Sequence, residues 1–155
     1  MRDRGAAMVE FAFVLVLLVM LLVGIVTSAV SFGRSNSIQN AAREASRFGA
    51  TLPGPVDSTW LGTVRDVARA AASGDLDSSV PGQFICVAHL NGATIMSLED
   101  DGGSVTFPNS ECFSDGRPAD EVRVQVLVER DSTIQAVVFS TDIGLTASAA
   151  ARYER

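Results

Sequence analysis

The sequence predicts an α+β protein in which a long N-terminal helix, transmembrane in its first half, packs on a small antiparallel β-sheet head with one additional short helix. Two observations carry this prediction. Residues 5–26 form an apolar tract, and helical composition continues from it to Phe48. The later part of the chain alternates apolar and polar residues, most clearly over 121–129, and contains Asn91 and Gly92, a strong hairpin turn signal.

The apolar tract is long enough to cross a membrane as a helix. Residues 11–26 contain no charged side chain, and extending the tract back to Ala6 gives about twenty residues, the length that spans a bilayer. Arg2 and Arg4 precede the tract, whereas the next cation is Arg34. Because positive flanks stay inside, we expect a single-pass protein of the cytoplasmic (inner) membrane with its head outside.

One carboxylate, Glu10, interrupts the tract. An ionised carboxylate at the centre of a membrane helix costs roughly 2.5–3.5 kcal/mol, and less near an interface. Glu10 either lies close to the cytoplasmic face, hydrated or protonated, or it pairs with a cation in an assembly. Gly5, five residues before Glu10, is a second feature that favours the assembly interpretation.

The N-terminal region resembles known pilus proteins. Gly5, Ala6, Glu10 and Phe11 resemble the processing site of type IV pilin-like precursors, which a prepilin peptidase cuts after the glycine. Three stretches together resemble TadE-like minor pilins of the tight-adherence (Tad or Flp, type IVc) pilus system: RGAAMVEFA at residues 4–12, the apolar run at 17–24, and QNAAREA at 39–45. Many TadE-like segments carry a proline where this chain has Val16, so this chain departs from the family there and lacks the residue that would produce a kink.

The resemblance implies a division of the chain and an assembly chemistry. Residues 1–5 would be a prepilin leader, 6–49 a transmembrane, pilin-like helix, and 50–155 an extracytoplasmic α+β head. Cleavage would free an ammonium on Ala6 that pairs with Glu10 of a neighbouring subunit, so that two otherwise costly charges compensate each other.

The same resemblance implies a role and a set of partners. The role is that of a minor pilin or pseudopilin in pilus assembly, priming or adhesion, with incorporation into an extracellular pilus as the destination. The implied partners are other pilin and minor pilin subunits, the prepilin peptidase, the inner-membrane assembly platform and membrane lipid.

The two cysteines, Cys86 and Cys112, both fall in the part of the chain assigned to the outside, where disulfides persist. A bridge between them is the expected state, and a loop of this size is worth roughly 3–4 kcal/mol in the chain-entropy model. Two buried thiols are the alternative. A metal site made of these cysteines and His89 lacks paired-ligand spacing, so neither a metal nor a cofactor is expected.

The second half of the long helix carries small residues on its apolar stripe, and these pack either on other helices or on the protein's own sheet. Gly49 is a plausible helix stop, and Asp57 or Ser58 can cap a short helix in which Trp60 is a core anchor. The acidic run 99–103 reads as a solvated loop, because it lacks the ligand spacing of an EF-hand calcium site.

The strands are predicted at residues 84–90, 93–98, 105–107 and 121–129, with a long loop at 109–119. The strand at 121–129 is expected to be half-buried. Residues 134–139 are apolar throughout and form either a buried strand or a surface-seeking turn. Residues 145–154 are compatible with a helix or a strand, and the strand is favoured because TadE-like proteins end in a similar run.

Composition and motifs exclude several function classes. The net charge of −6 and the scattered arginines leave no basic face for nucleic acid. No nucleophile elbow, phosphate loop or metal-ligand cluster is present, so an enzyme is not predicted. Two alternatives stay open: a static membrane-anchored binding domain, and a secretory signal cleaved near residues 27–29, whose apolar run is longer than usual.

Overall fold

The structure is a computed structural model of the 155-residue chain. It describes residues 3–77, 80, 82–92, 94–118, 120–135 and 140–153, and the side chains of residues 3–7 and 135 are not described. The elements in chain order are α1 (Asp3–Thr51), α2 (Ser58–Ala71), β1 (Phe84–Asn91), β2 (Thr94–Asp100), β3 (Val105–Thr106), β4 (Arg123–Gln135) and β5 (Ser140–Arg152). The predicted α+β class is confirmed.

The five strands form one antiparallel sheet in the order β3-β2-β1-β4-β5. The predicted hairpin between β1 and β2 is present, but its turn lies one residue later than expected. Asn91 pairs with Thr94, so the turn begins after Asn91, and Gly92 adopts the left-handed conformation with φ 61°. Glycine suits this position because it has no Cβ to clash at positive φ.

The helix α1 is continuous over 49 residues, or about 73 Å at 1.5 Å per residue. Only its second half packs on the head. Ile38, Ala41, Ala42 and Ala45 are fully buried in the core beside α2 and β4. Of the two packing partners predicted for this stripe, the protein's own head is therefore the one observed.

Gly49 does not end the helix, which continues to Thr51. Its role is close packing. A Cβ at this position would lie 3.0 Å from Val124 Cγ1 and 3.3 Å from Trp60 Cη2. The predicted helix stop was wrong because tertiary packing, rather than helix termination, requires the glycine.

The short helix α2 begins as predicted. The Asp57 carboxylate accepts a hydrogen bond from the backbone N–H of Trp60 at 2.8 Å, which satisfies one of the free donors of the first turn. Trp60, Leu61, Val64 and Ala68 form its buried face. This face closes the core over α1 and the sheet.

The strand β4 is buried on both faces at its start, over residues 123–126, rather than half-buried. Val124, Val126 and Val128 face the core, as the alternation predicts. Arg123 and Gln125, on the opposite face, are also buried, because the loop before β4 covers them. The prediction of a half-buried strand is therefore wrong at Arg123 and Gln125, since a covering loop leaves no periodic signal in the strand itself. Further along the same face, Leu127 and Glu129 are half-buried, and Asp131 and Thr133 are exposed.

The last strand is confirmed. β5 pairs with β4 from Arg123–Arg152 to Gln135–Ser140, so the alternative of a C-terminal helix is wrong. Ile134 belongs to β4, whereas residues 136–139, predicted to form a buried strand or a turn, lie outside the described residues.

Candidate functional site

The first half of α1 stands clear of the head and is apolar on all sides. Between residues 8 and 30, Val23, Gly24 and Thr27 are half-buried and the other residues are exposed. Met8, Phe11 and Phe13 expose 77%, 66% and 73% of their surface. A continuous apolar surface of this extent is unfavourable in water and indicates contact with lipid or with other apolar helices.

The dimensions of this segment fit a bilayer. An 18-residue window within the helix has a mean hydropathy of 3.0 and no buried residue. Residues 8–26 rise about 28 Å as a helix, close to the roughly 30 Å hydrocarbon thickness of a membrane. The helix is therefore long and apolar enough to span a membrane.

The predicted processing residues are brought together by the helix itself. Gly5 and Ala6 lie in the first turns of α1, and Glu10 follows Ala6 by about 6 Å along the axis. Glu10 is exposed and forms no hydrogen bond or ion pair with any residue that the structure describes. Phe11 is exposed beside it. The chain itself thus offers Glu10 no compensating contact among the described residues.

The head begins where α1 first becomes buried, at Ser31. The Ser31 hydroxyl lies 3.4 Å from the Ser132 hydroxyl of β4, and the Arg34 guanidinium donates to the same Ser132 oxygen at 3.2 Å. These contacts join the helix to β4 just beyond the apolar segment. No periodicity in the sequence signals this pairing, because the partners are about a hundred positions apart.

The disulfide predicted between Cys86 and Cys112 is present. It ties the loop before β4 to β1, the neighbour of β4 in the sheet. Asp115, a residue of this loop, forms an ion pair with Arg123 of β4, with 2.9 Å between Arg123 Nε and Asp115 Oδ2. The bridge and the ion pair together hold the loop over the outer face of the sheet.

Asp115 is held as a carboxylate by its surroundings. Burial alone raises its pKa, but hydrogen bonds from the Gln125 amide and the Arg117 backbone N–H, together with the charge of Arg123, outweigh this effect. The net result is a pKa below the usual aspartate value. Sequence reasoning missed this pair, because an arginine alternating with valines indicates an exposed position.

Two acids of the run at 99–103, Asp100 and Asp101, are bound by other groups of the protein. Asp100 is buried, and its Oδ2 atom forms ion pairs with the guanidinium groups of Arg65, at 3.2 Å, and Arg69, at 3.0 Å. Backbone N–H groups of Ser104 and Gly103 donate to Asp101 and lower its pKa. No group of three or more potential metal ligands occurs among the described residues. The prediction of a solvated loop at 99–103 is wrong for Glu99 and Asp100, which belong to β2, where Asp100 is buried; the loop begins at Asp101.

His89 is buried in an aromatic cluster with Trp60 and Tyr153. Its ring centroid lies 5.8 Å from that of Trp60 and 4.9 Å from that of Tyr153, both edge-to-face. A cleft of about 330 Å³ opens beside it. The lining residues are Gly54, Pro55, Val56, His89, Asn91, Thr94, Met96, Val122 and Tyr153. This cleft lies at the end of the sheet remote from the apolar helix segment, because its residues are level with the start of β4.

Comparison with known proteins locates the resemblance in α1. Residues 5–47 match the family model described as TadE-like protein. No curated protein and no solved structure matches the chain. The matched family is structural rather than enzymatic, in line with the absence of catalytic motifs from the sequence. The match covers the apolar segment, Glu10 and most of the helix half that packs on the sheet, so the long N-terminal helix of this chain is similar to that of TadE-like proteins.

Proposed function

We propose that this protein is a minor pilin or pseudopilin of a Tad (type IVc) pilus, processed by a prepilin peptidase and used in pilus assembly or priming. The observation that carries the proposal is Glu10, exposed on an apolar helix and without a partner among the described residues. The family match over residues 5–47 and the fixed spacing from Gly5 support it.

Processing would change the charges at the membrane end of α1. Hydrolysis of the Gly5–Ala6 peptide bond adds water across the bond, leaves a carboxylate on Gly5, and frees an ammonium on Ala6. It also removes Arg2 and Arg4, the cations that favour retention of this end in the cytoplasm. The mature helix would then leave the membrane with a smaller electrostatic penalty.

The new ammonium would supply the partner that Glu10 lacks. Side chains on a helix lean toward its N-terminus, so Glu10 points toward the end at which the ammonium forms. A neighbouring subunit displaced along the axis can place its Ala6 ammonium beside this carboxylate. Because either charge alone is costly among apolar helices, the pair would set the axial register of assembly.

The proposed division of the chain follows from this processing. The leader is residues 1–5, the pilin-like helix 6–49 and the head 50–155. The second half of the helix belongs structurally to the head, because its alanines lie in the common core. Membrane residence, with the head outside, precedes incorporation, and the partners are other pilin subunits, the peptidase, the assembly platform and lipid.

A static membrane-anchored binding domain is the second candidate function. The cleft beside His89 favours it, because a small cleft remote from the membrane end can receive a ligand. This candidate requires neither processing nor a role for Glu10, so the same experiment separates the two.

The experiment is mass spectrometry of the mature N-terminus in protein purified from producing cells. The proposal expects a chain that begins at Ala6, and a strain without prepilin peptidase should yield the unprocessed chain. A chain that retains residues 1–5 in cells with normal pili would overturn the proposal. Cleavage near residues 27–29 would identify a secretory signal instead.

A further inference from the structure

The strand β5 forms one edge of the sheet. It pairs with β4 over all 13 of its residues without interruption, and it is the last strand in the sheet order. An edge strand directs alternate N–H and C=O groups away from its neighbour. On β5 these groups form no hydrogen bond with the backbone of any other described residue. We call this row of groups the β5 edge.

The β5 edge lacks the features that usually prevent the addition of another strand. Residues 143–151 contain neither a charged residue nor a proline, and the register with β4 contains no bulge. Gly144, Thr146 and Ser148 are exposed on the outer face of the sheet, so the loop that covers the start of β4 does not extend over this part of β5. A long, regular and uncharged edge of this kind is a site for pairing with another strand.

The two charges that flank the uncharged stretch indicate which strand fits. Asp142 and Arg152 are both exposed, both lie on the outer face, and stand five residues on either side of Ala147. In an antiparallel pair of two β5 strands centred on Ala147, Asp142 of each copy faces Arg152 of the other. Facing residues of antiparallel strands lie on the same side of a sheet, so both contacts are opposite-charge pairs. The edge is therefore complementary to itself, as a twofold interface requires.

Other arrangements of two β5 strands lose these contacts. A parallel pair in register places Asp142 beside Asp142 and Arg152 beside Arg152, so that like charges repel. A shift of the antiparallel register by one residue turns the core-facing side chains toward the outer face. A shift by two residues separates Asp142 from Arg152. In the register centred on Ala147, the exposed residues next to the centre, Thr146 and Ser148, face each other across the pair.

Both charges are available for this contact. Neither Asp142 nor Arg152 forms an ion pair within the part of the chain that the structure describes. The Thr133 hydroxyl donates to the Asp142 carboxylate at 2.6 Å and holds it beside β4 on the outer face. A second copy would supply each of the two charges with its counter-charge.

The direction of β5 relative to α1 decides how two copies can meet. Val124 lies against Gly49, and Ser132 lies against Ser31, so β4 runs antiparallel to α1. Helix and strand each rise about 27 Å between these contacts, so their axes are nearly parallel. Because β5 is antiparallel to β4, it runs in the same direction as α1. An antiparallel pair of β5 strands therefore points the two apolar helix segments in opposite directions.

We infer that the β5 edge binds the β5 edge of a second copy, antiparallel and centred on Ala147, so that two five-stranded sheets become one. Two copies anchored in one membrane cannot meet in this way, so the contact joins heads carried by two different membranes or fibres. Many heads on each surface would act together, so a weak single contact suffices. The inference goes beyond the proposed function and does not depend on processing at Gly5.

The test is cross-linking between two populations of phosphatidylethanolamine/phosphatidylglycerol vesicles that carry the full-length chain. One population carries Thr146→Cys and the other Ser148→Cys, and the native cysteines are already joined in their disulfide. Facing Cα atoms of antiparallel strands are about 4.5–5.5 Å apart, within the range of a disulfide. Gly144→Cys replaces Ser148→Cys in the matched control, because it is equally exposed but lies about 13 Å from residue 146 of the other copy.

We expect a disulfide-linked dimer on mild oxidation of the 146 and 148 mixture, and none from the 146 and 144 mixture. Equal cross-linking in both mixtures would show a different register and overturn the inference. Absence of the dimer from both mixtures would overturn it as well. Neither result bears on the processing experiment, which reads the mature N-terminus.

Charge reversal tests the ion pairs in the same cross-linking pair. Asp142→Arg in both populations turns both contacts into repulsive ones and should lower the yield about tenfold, as should Arg152→Asp in both populations. Asp142→Arg in one population with Arg152→Asp in the other restores two opposite-charge contacts and should restore the yield, which also shows that the variants are folded. Yields that are insensitive to the reversals, or that stay low in the mixed populations, would overturn the inference.

Discussion

Arg123 and Asp115 form a buried ion pair on the outer face of the sheet, with side chains only 2% and 9% exposed. The Arg123 guanidinium also donates to the carbonyl of Pro118 at 2.8 Å. A charge removed from water to this extent is stable only when it is paired and hydrogen-bonded. The pair therefore fixes the loop before β4 and makes this loop part of the folded head.

Replacing the acid of this pair should destabilise the head strongly. Asp115→Asn keeps the shape but leaves Arg123 without its counter-charge, and breaking a buried pair from one side costs about 3 kcal/mol or more. Chemical denaturation of the full-length protein in detergent measures the loss. Glu111→Gln is the matched control, because Glu111 is an exposed acid in the same loop, and it should change stability by less than about 0.5 kcal/mol. Equal effects of the two substitutions would contradict a structural role for the pair.

The pH dependence of stability should carry the signature of Asp115. Its pKa is lowered in the folded protein, so the unfolded state binds the proton more readily. The contribution is fully present above the ordinary aspartate pKa of about 3.9, and is lost as the pH falls through the lower, folded-state pKa. Denaturation midpoints followed from about pH 6 downward should fall below about pH 4. The fall should be shallower in Asp115→Asn, and an unchanged profile in that variant would contradict the assignment.

Reduction of the Cys86–Cys112 bridge should destabilise the head through the same loop. Loss of the cross-link costs about 3–4 kcal/mol in the chain-entropy model, and the free loop would also expose Arg123. Denaturation with and without reductant measures the first effect. The double-mutant cycle measures the second: Asp115→Asn should cost less in a Cys86→Ser/Cys112→Ser background than in the bridged protein. Additive effects would show that the bridge and the ion pair act independently.

The sequence predicted the parts of the fold that leave a local signal. Four features follow from the chemistry of neighbouring residues: the apolar tract, the Asp57 cap, the glycine turn of the first hairpin and the valine alternation of β4. The second buried face of β4 does not, because it depends on a loop closed by a distant cysteine. The contact of Ser31 with Ser132 could not be predicted from the sequence either, since a serine on a helix and a serine on a strand carry no information about their pairing.

Gly49 shows the same limit in a form that can be tested. Gly49→Ala gains helix propensity, up to about 1 kcal/mol, but its Cβ would meet Val124, Val64 and Trp60 at 3.0 to 3.3 Å. Overpacking typically costs about 1–3 kcal/mol, so we expect net destabilisation in a denaturation experiment. Gly33→Ala is the control on the same helix, because nothing lies within 4 Å of its Cβ, and it should be neutral or stabilising. Stabilisation by both alanines would show that the close approach is not limiting.

Glu10 provides the decisive functional prediction. Glu10→Gln preserves size and polarity but removes the charge, and Glu10→Ala removes both. If the carboxylate pairs with a neighbour's Ala6 ammonium, both variants should remain in the membrane, where the tract has become less costly to insert, yet both should be strongly depleted from purified pili. Immunoblots of membrane and sheared pilus fractions measure the two pools.

Glu44→Ala, which removes an exposed acid from the head half of α1, should leave both pools unchanged. Normal pilus content with Glu10→Gln would show that charge pairing does not set incorporation, whereas loss with Glu44→Ala as well would point to a general effect of α1 charge.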